Sequence, residues 1–222
     1  MSRADTPTMR TYISAIGFNS TSVTRPLLSH GIDTDDHVVL LRPDQPPNAR
    51  AEEAVSDVER LLQEIEPAVD LTTERITHED FQTAVLECSD LIRAAEGDRI
   101  VSLGGGARDV LLPFTIAAMT HVRLLSATLF FSDLDGAVRE WSLPRLTAKI
   151  QDTTVKTLRA IAEADDEISI PELTDKTGNS KSTVTRHVNA LAEEDAIITW
   201  TEGKTKFATV TLTGRLTLRE FR

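Results

Sequence analysis

The chain has few of the residues that indicate disulfide, metal or membrane chemistry. Its 222 residues include one cysteine, Cys88, which excludes an internal disulfide and any site built from several cysteines. Aromatic residues make up 5% of the chain, and no lysine precedes Lys149. The longest apolar stretch, around residues 111–119, is far shorter than the roughly 20 residues of a membrane span, and the opening MSRADTPTMR lacks the apolar core of a signal peptide. We therefore expect a cytoplasmic protein with no membrane contact, and Cys88 as a small buried residue.

The net charge of −11 is unevenly distributed along the chain. From residue 151 onward ten Lys and Arg face twelve Asp and Glu, so −9 of the net charge lies in the first 150 residues. An acidic surface repels the phosphates of nucleic acids, and the nearly balanced C-terminal part is therefore the better place for such a partner. The length suits two domains of roughly 100 to 200 residues each.

Apolar segments of strand and helix length alternate in the first part of the chain. The patterns predict strands at residues 12–17, 37–42, 69–73 and 99–103, and helices at residues 22–30, 51–65, 79–95 and 109–121. Two further strand-like runs flank the turn signal of Asp135 and Gly136, which predicts a hairpin. The alternation predicts an α/β domain over residues 10–144, with a mostly parallel, Rossmann-like sheet and a terminal hairpin.

The second part of the chain has a different pattern. A connecting segment at residues 145–152 leads to a helix over residues 153–164, a shorter helix, a turn at Gly178 and Asn179, and a longer helix. Two strand-like runs, residues 197–201 and 207–212, bracket the turn sequence EGKTK. This order predicts a winged helix-turn-helix domain over residues 153–222.

Three glycines, Gly104, Gly105 and Gly106, follow the fourth predicted strand in the stretch DRIVSLGGGARDVLLPF. A phosphate-binding loop of the nucleotide triphosphatases would end in Gly-Lys-Ser/Thr, whereas Gly106 is followed by Ala107 and Arg108. A dinucleotide fingerprint would lie after the first strand, so it is excluded too. What remains is a loop that a ligand can approach closely, at a helix N-terminus with an arginine, which suits an anion. A tight strand-to-helix turn without a ligand is the alternative.

Two other polar loops follow carboxyl ends of predicted strands. The sequence GFNSTS comes after the first strand, and RPDQPPNAR, ending in Arg50, comes after the second. Ligands of open α/β sheets bind at this edge, so the three loops together predict a nucleotide or oligonucleotide pocket.

The stretch YISAIGFNSTSVTRPLL, the Arg50 loop and the turn at Gly106, Ala107 and Arg108, followed by a winged helix, resemble the CRISPR-associated transcriptional regulators with an N-terminal CARF domain. The resemblance covers nearly the whole chain from Thr11. It implies a homodimer that senses a cyclic oligoadenylate, usually cyclic tetra-adenylate, in a pocket across the two-fold axis. The residues that it implies for this pocket, with the neighbouring loop residues, are Gly17, Phe18, Asn19, Arg50, Gly104, Gly105, Gly106, Ala107 and Arg108.

The longer helix of the second part has the composition of a DNA-reading helix. No acidic residue occurs from residue 176 to residue 191, whereas the same stretch contains the basic residues Lys176, Arg186 and His187. Val184, Val188 and Leu191 define a packed face, which leaves the polar face for phosphates and base edges. The predicted DNA-binding residues on this helix and on the wing are Lys181, Ser182, Thr183, Thr185, Arg186, Asn189, Lys204 and Lys206. A winged helix used only for dimerisation is the alternative.

No catalytic signature is recognisable in the sequence, and it indicates no cofactor or metal. His78, Glu79 and Asp80 are better explained as a helix start than as metal ligands. We therefore expect a ligand-responsive regulator of CRISPR-Cas loci that binds double-stranded DNA as a homodimer and is not an enzyme. Two alternatives stay open: a ring nuclease that cleaves cyclic oligoadenylate, and a winged-helix regulator that senses another small anionic nucleotide.

Overall fold

The computed structural model of the chain describes residues 9–46, 48–164 and 166–221. The stretch up to residue 8, which includes most of the segment tested for a signal peptide, lies outside these residues. Pro47 of the predicted Arg50 loop and Arg222, the last residue of the predicted winged helix-turn-helix domain, lie outside them too. The described residues form two compact units, the first ending at Ser142 and the second beginning at Leu143. No helix among them is long and apolar enough to cross a membrane.

Strands and helices alternate throughout the first unit. Its elements are β1 (Arg10–Ala15), α1 (Thr21–His30), β2 (His37–Pro43), α2 (Ala49–Ile65), β3 (Asp70–Ile76), α3 (Phe81–Ala94), β4 (Asp98–Ser102), α4 (Arg108–Thr120), a 3-10 turn (Val122–Leu124), β5 (Leu125–Phe131) and β6 (Val138–Glu140). They form one sheet in the order β3-β2-β1-β4-β5-β6, in which β6 alone pairs antiparallel. The predicted Rossmann-like sheet with a terminal hairpin is confirmed.

Helices cover both faces of this sheet. One core layer joins α1 and α2 to strand residues that include Tyr12, Val38 and Ile100. Their neighbours along the strands, Ile13 and Val39 among them, point to the opposite face and are also buried. On that face α3 and α4 pack against each other and contact the strands. Burial on both faces explains why β1, β2 and β4 are continuous apolar runs in the sequence.

Cys88 lies in α3 and is fully buried. Burial raises the pKa of its thiol to about 12, so the side chain stays a neutral thiol at ordinary pH. The prediction of a small buried residue is confirmed.

The described part of the second unit contains seven regular elements, two more than the sequence predicts. In chain order it consists of α5 (Asp152–Ala162), β7 (Ile168–Ser169), α6 (Ile170–Thr177), α7 (Lys181–Glu193), β8 (Ile197–Glu202), β9 (Thr205–Val210) and α8 (Leu212–Glu220). The three strands form an antiparallel sheet in the order β7-β9-β8. The winged helix-turn-helix prediction is confirmed, but β7 and α8 are additions to it.

Local sequence signals fix the helix-turn-helix. Ser169 and Glu172 form a reciprocal capping box at the start of α6. Gly178, in the left-handed region with φ of 68°, ends that helix, and the Ser180 side chain then caps α7. The predicted inner face of α7 is confirmed, because Val184, Val188 and Leu191 are at most 1% exposed. These three residues pack in one core with α5 and the sheet.

Candidate ligand pocket and DNA interface

A pocket of about 280 Å³ lies at the carboxyl edge of the parallel sheet. Loops after β1, β2, β4 and β5 meet there, as expected for parallel strands. Seven of the nine predicted ligand residues line it: Gly17, Phe18, Asn19, Gly104, Gly105, Gly106 and Ala107. The remaining lining residues are Ile16, Ser22, Arg42, Pro43, Gln45, Ala51, Phe131 and Asp133. Main-chain amide groups, two aromatic rings and one buried cation therefore share this space.

The three loop glycines pack tightly against their own fold. A Cβ atom on Gly106, whose φ is +99°, would lie 2.6 Å from the Cβ of Ala15. A Cβ on Gly104 would lie 2.7 Å from that of Phe131, and one on Gly105 would overlap Ser22. The close approach of the loop to β1, α1 and β5 thus requires glycine whether or not a ligand binds.

Arg50 lies in the first turn of α2, beside the pocket and not in its wall. Its guanidinium lies 5.2 Å from the centre of the Phe18 ring, and both side chains are exposed. Together with Asn19 and Asp57 they line an adjoining groove of about 320 Å³. A cation over an aromatic face is held in place without losing its hydrogen-bond donors. Arg50 can therefore reach an anion from the rim of the pocket.

Arg108 is the first residue of α4 and is exposed. It does not line the pocket, although Ala107 before it does. Ala107 is the N-cap of α4 and supplies no side-chain cap. The first amide groups of the helix are therefore available to an anion, which is the usual property of a helix N-terminus. The ligand contact predicted for Arg108 stays a prediction.

Sequence reasoning missed Arg42, the buried cation of the pocket wall. Arg42 lies near the end of β2 and is 5% exposed. Its Nη2 donates a hydrogen bond to Oε1 of Glu52 over 2.7 Å. That bond, with further help from Arg75, lowers the pKa of the Glu52 carboxyl below its ordinary value. An arginine inside the apolar run HVVLLRP is the signal that could have revealed it, because a buried charge needs a partner.

The exposed face of α7 brings together most of the predicted DNA-binding residues. Lys181, Ser182, Thr185, Arg186 and Asn189 line one shallow groove of about 810 Å³, which also includes Ala190 and Glu193. Thr183 is half-buried and shares a hydrogen bond with the capping Ser180, with their oxygens 2.9 Å apart. The Thr183 hydroxyl therefore contributes to the capping contacts at the start of α7.

The two lysines of the wing have different surroundings. Lys204 is exposed in the turn between β8 and β9. Lys206 lies on β9, and its Nζ donates a hydrogen bond to Oδ1 of Asn189 over 3.0 Å. The wing and the recognition helix are therefore joined by a side-chain contact that the sequence did not reveal.

Two other basic residues of the acid-free stretch contact neighbouring parts of the second unit. Lys176 donates a hydrogen bond to the carbonyl of Ala160 and pairs with Glu163 at 3.5 Å. His187 is buried, with its Nδ1 2.8 Å from the hydroxyl of Thr157. Burial lowers the pKa of the His187 imidazole, and the charge of Arg186 lowers it further. The positive charge that α7 can offer to DNA thus comes from Lys181 and Arg186.

The sequence His78, Glu79 and Asp80 begins a helix, as predicted. Asp80 is the N-cap of α3, and its carboxylate accepts a hydrogen bond from the amide of Thr83 over 2.6 Å. Among the residues that the structure describes, no group of three His, Cys, Asp or Glu side chains is placed to hold a metal ion.

The two units match two known domain families. Residues 150–198 match a winged helix-turn-helix DNA-binding domain, which makes the chain a two-domain protein with a Rossmann-like unit and a DNA-binding unit. Residues 10–134 match the Csa3 CRISPR-associated Rossmann-like domain. The chain therefore belongs to the Csa3 CRISPR-associated family, and the resemblance found in the sequence is confirmed.

Three solved structures show a distant similarity to the chain. Protein VC1899 from Vibrio cholerae has 9% identity and a TM-score of 0.45, with 96% of this chain and 65% of that chain covered. Enterococcus italicus Csm6 bound to cyclic hexa-2'-fluoro-hexa-dAMP has 10% identity and a TM-score of 0.45, with coverage of 83% and 54%. A protein of unknown function from Listeria innocua has 23% identity and a TM-score of 0.30, with coverage of 33% and 52%. The chain thus spans about half to two thirds of these structures, and no curated protein is significantly similar to it.

Proposed function

We propose that this chain is a transcriptional regulator of CRISPR loci, controlled by a cyclic oligoadenylate that binds in the pocket of the first unit. The observation that carries the proposal is the union, in one chain, of a Csa3 domain with a pocket and a winged helix that exposes Lys181 and Arg186. Phosphate contacts from α7 and the wing position the protein on duplex DNA, and Arg186 and Asn189 contact base edges.

The size of the pocket supports a homodimer. A volume of about 280 Å³ lies just below the roughly 300 to 1,000 Å³ of ligand sites, which is small for a ring of four nucleotides. A ring of four nucleotides therefore needs more than one such pocket. Two pockets related by a two-fold axis, with Arg50 and Arg108 at their rims, would supply it, and the resemblance to CARF domains implies this arrangement.

The same volume favours a second candidate ligand, a single adenine nucleotide. A mononucleotide would fill the pocket of one subunit and would not need the two-fold axis. In both cases the ligand acts by shifting the population of dimer conformations toward one spacing of the two recognition helices. The proposal includes no enzymatic step.

Incubation with labelled cyclic tetra-adenylate, beside AMP and linear tetra-adenylate as controls, tests the proposal. The expected result is that intact cyclic tetra-adenylate is retained, at one ring per dimer. Conversion of the ring to shorter products would contradict the proposal and favour the alternative function of a ring nuclease. Retention of AMP with no binding of the ring would select the mononucleotide candidate.

A further inference from the structure

Arg42 is a buried cation with spare hydrogen-bond donors on the wall of the pocket. Its side chain is 6% exposed, whereas that of its carboxylate partner, Glu52, is 47% exposed. Glu52 lies in the first turn of α2, and Arg75 approaches it from β3 at 3.9 Å. The Glu52 carboxylate is therefore open to solvent and has a second cation nearby, whereas Arg42 is mostly shielded from bulk solvent and has Glu52 as its ion-pair partner.

The donors of Arg42 are mostly unused within the protein. A guanidinium carries five N–H groups, and in the described part of the chain the one hydrogen bond that Arg42 makes is from Nη2 to Glu52. The unused donors are not enclosed in the protein, because the buried side-chain atoms without a partner among the described residues are Nδ1 of His78 and Oγ of Ser102. They therefore face the open space of the pocket. Because Arg42 lines the pocket, an acceptor bound there would meet them.

We propose that Arg42 is the principal phosphate-binding residue of the pocket, and that Glu52 both orients its guanidinium and competes with the ligand for it. This inference rests on the proposed function, because it concerns the same pocket. Arg50 and Arg108 act at the exposed rim, where water and salt weaken their attraction for a phosphate. Arg42 acts inside the wall, where a charge-assisted hydrogen bond is stronger.

Arginine suits this position better than lysine would. Its planar fork can keep one edge on the Glu52 carboxylate and present another to a phosphate at the same time. A lysine at this position would have one ammonium group for both partners. The Arg42→Lys variant is therefore expected to keep the charge and lose most of the binding.

Calorimetric titration with cyclic tetra-adenylate tests the proposal, with Arg42→Gln compared against Arg93→Gln. Arg93 is the control, because it is an exposed arginine of α3 that does not line the pocket. Loss of a charged group from a buried hydrogen-bonded contact is expected to weaken binding about 30-fold or more in Arg42→Gln, and Arg93→Gln is expected to bind like the wild type. Equal affinities of the two variants would overturn the proposal.

Glu52→Gln supplies a second arm that does not depend on the stability of Arg42→Gln. Removal of the competing charge frees the guanidinium for the ligand, so Glu52→Gln is expected to bind several-fold more tightly than the wild type. If Arg42→Gln melts early, this arm decides: tighter binding by Glu52→Gln supports the proposal, and unchanged affinity overturns it. A wild type that does not bind cyclic tetra-adenylate contradicts the proposed ligand, whereas a wild type that binds it as tightly as Arg42→Gln does contradicts the role of Arg42.

Discussion

Lys206 of the wing holds Asn189 of the recognition helix through a hydrogen bond of 3.0 Å from Nζ to Oδ1. Lysine has donors only, so the bond fixes which end of the amide faces the wing. The Asn189 Nδ2 group then remains for DNA as a donor, and Oδ1 keeps one further lone pair. Because Lys206 fixes the direction of the amide, it restricts how Asn189 can present its donor and acceptor to a base edge.

The first prediction follows from the different surroundings of the two wing lysines. Lys204→Ala removes one proposed phosphate contact, so it is expected to weaken binding to specific and random DNA equally and to lower the salt slope by roughly one unit. Lys206→Ala also frees the Asn189 amide, so it is expected to change base preference as well. Salt titrations with selection from a random duplex library measure both. Identical base preferences in the two variants would show that the Lys206 bond does not constrain Asn189 on DNA.

The second prediction concerns base reading by Arg186. Arg186 is exposed on the groove-forming face of α7, where it can contact a guanine with both arms of its fork. Arg186→Ala is expected to reduce operator affinity by about 1 to 3 kcal/mol and to relax specificity at one base pair. Arg215→Ala, an exposed arginine of α8, is the matched control. Equal operator affinities in the two variants would favour a winged helix used for dimerisation.

The third prediction concerns the stability of the glycine loop. Gly106→Ala combines a positive φ of 99° with a contact of 2.6 Å to Ala15, whereas Gly136→Ala has a positive φ of 69° and nothing within 4 Å. Strain at such a position costs on the order of 1 to 3 kcal/mol, and the contact adds to it in Gly106→Ala. Denaturant unfolding should therefore show the larger loss for Gly106→Ala. Equal losses would mean that the loop can move away from β1.

The fourth prediction is a loss of stability below pH 6.5, which depends partly on His187. Burial and Arg186 lower its folded-state pKa from 6.5, so the unfolded chain binds the proton more readily. The stability that the neutral imidazole contributes is fully present above pH 6.5 and is lost as the pH falls toward the lower folded-state value. Denaturant unfolding from pH 7.5 to 5.5 measures this loss. His187→Gln should show a shallower decline, and the remaining slope is expected from His121, whose pKa is lowered by burial too. Equal slopes in the variant and the wild type would contradict the assignment.

Much of the fold is readable from the sequence because apolar patterns set it locally. Each predicted strand and helix of the first unit exists, with ends displaced by up to three residues. β7 has only two residues, Ile168 and Ser169, which pair with Ala208 and Phe207, and so short a strand has no periodicity to recognise. The predicted last strand ran to Leu212, but β9 ends at Val210, and α8 begins at Leu212 after Thr211 caps it. A helix with Thr213 and Gly214 in its first turn has little intrinsic helix propensity to reveal it.

The candidate sites were only partly readable for a different reason. The glycine run predicted close approach, but the sequence could not say whether a ligand or the fold itself approaches; the structure shows Ala15, Ser22 and Phe131 in contact range. The pairing of Arg42 with Glu52 depends on the packing of α2 against the end of β2, which no local pattern encodes. The link between Lys206 and Asn189 likewise depends on how the wing folds over α7.

The central claim is that ligand binding by the first unit changes DNA binding by the second. The most direct test is operator affinity measured with and without saturating cyclic tetra-adenylate. The operator is the duplex that the protein itself selects from a random library. The account predicts that the ligand changes operator affinity about 5-fold or more, and that the operator changes ligand affinity by the same factor, because coupling between two binding equilibria is reciprocal. Operator affinity that is identical with and without the bound ring would contradict it.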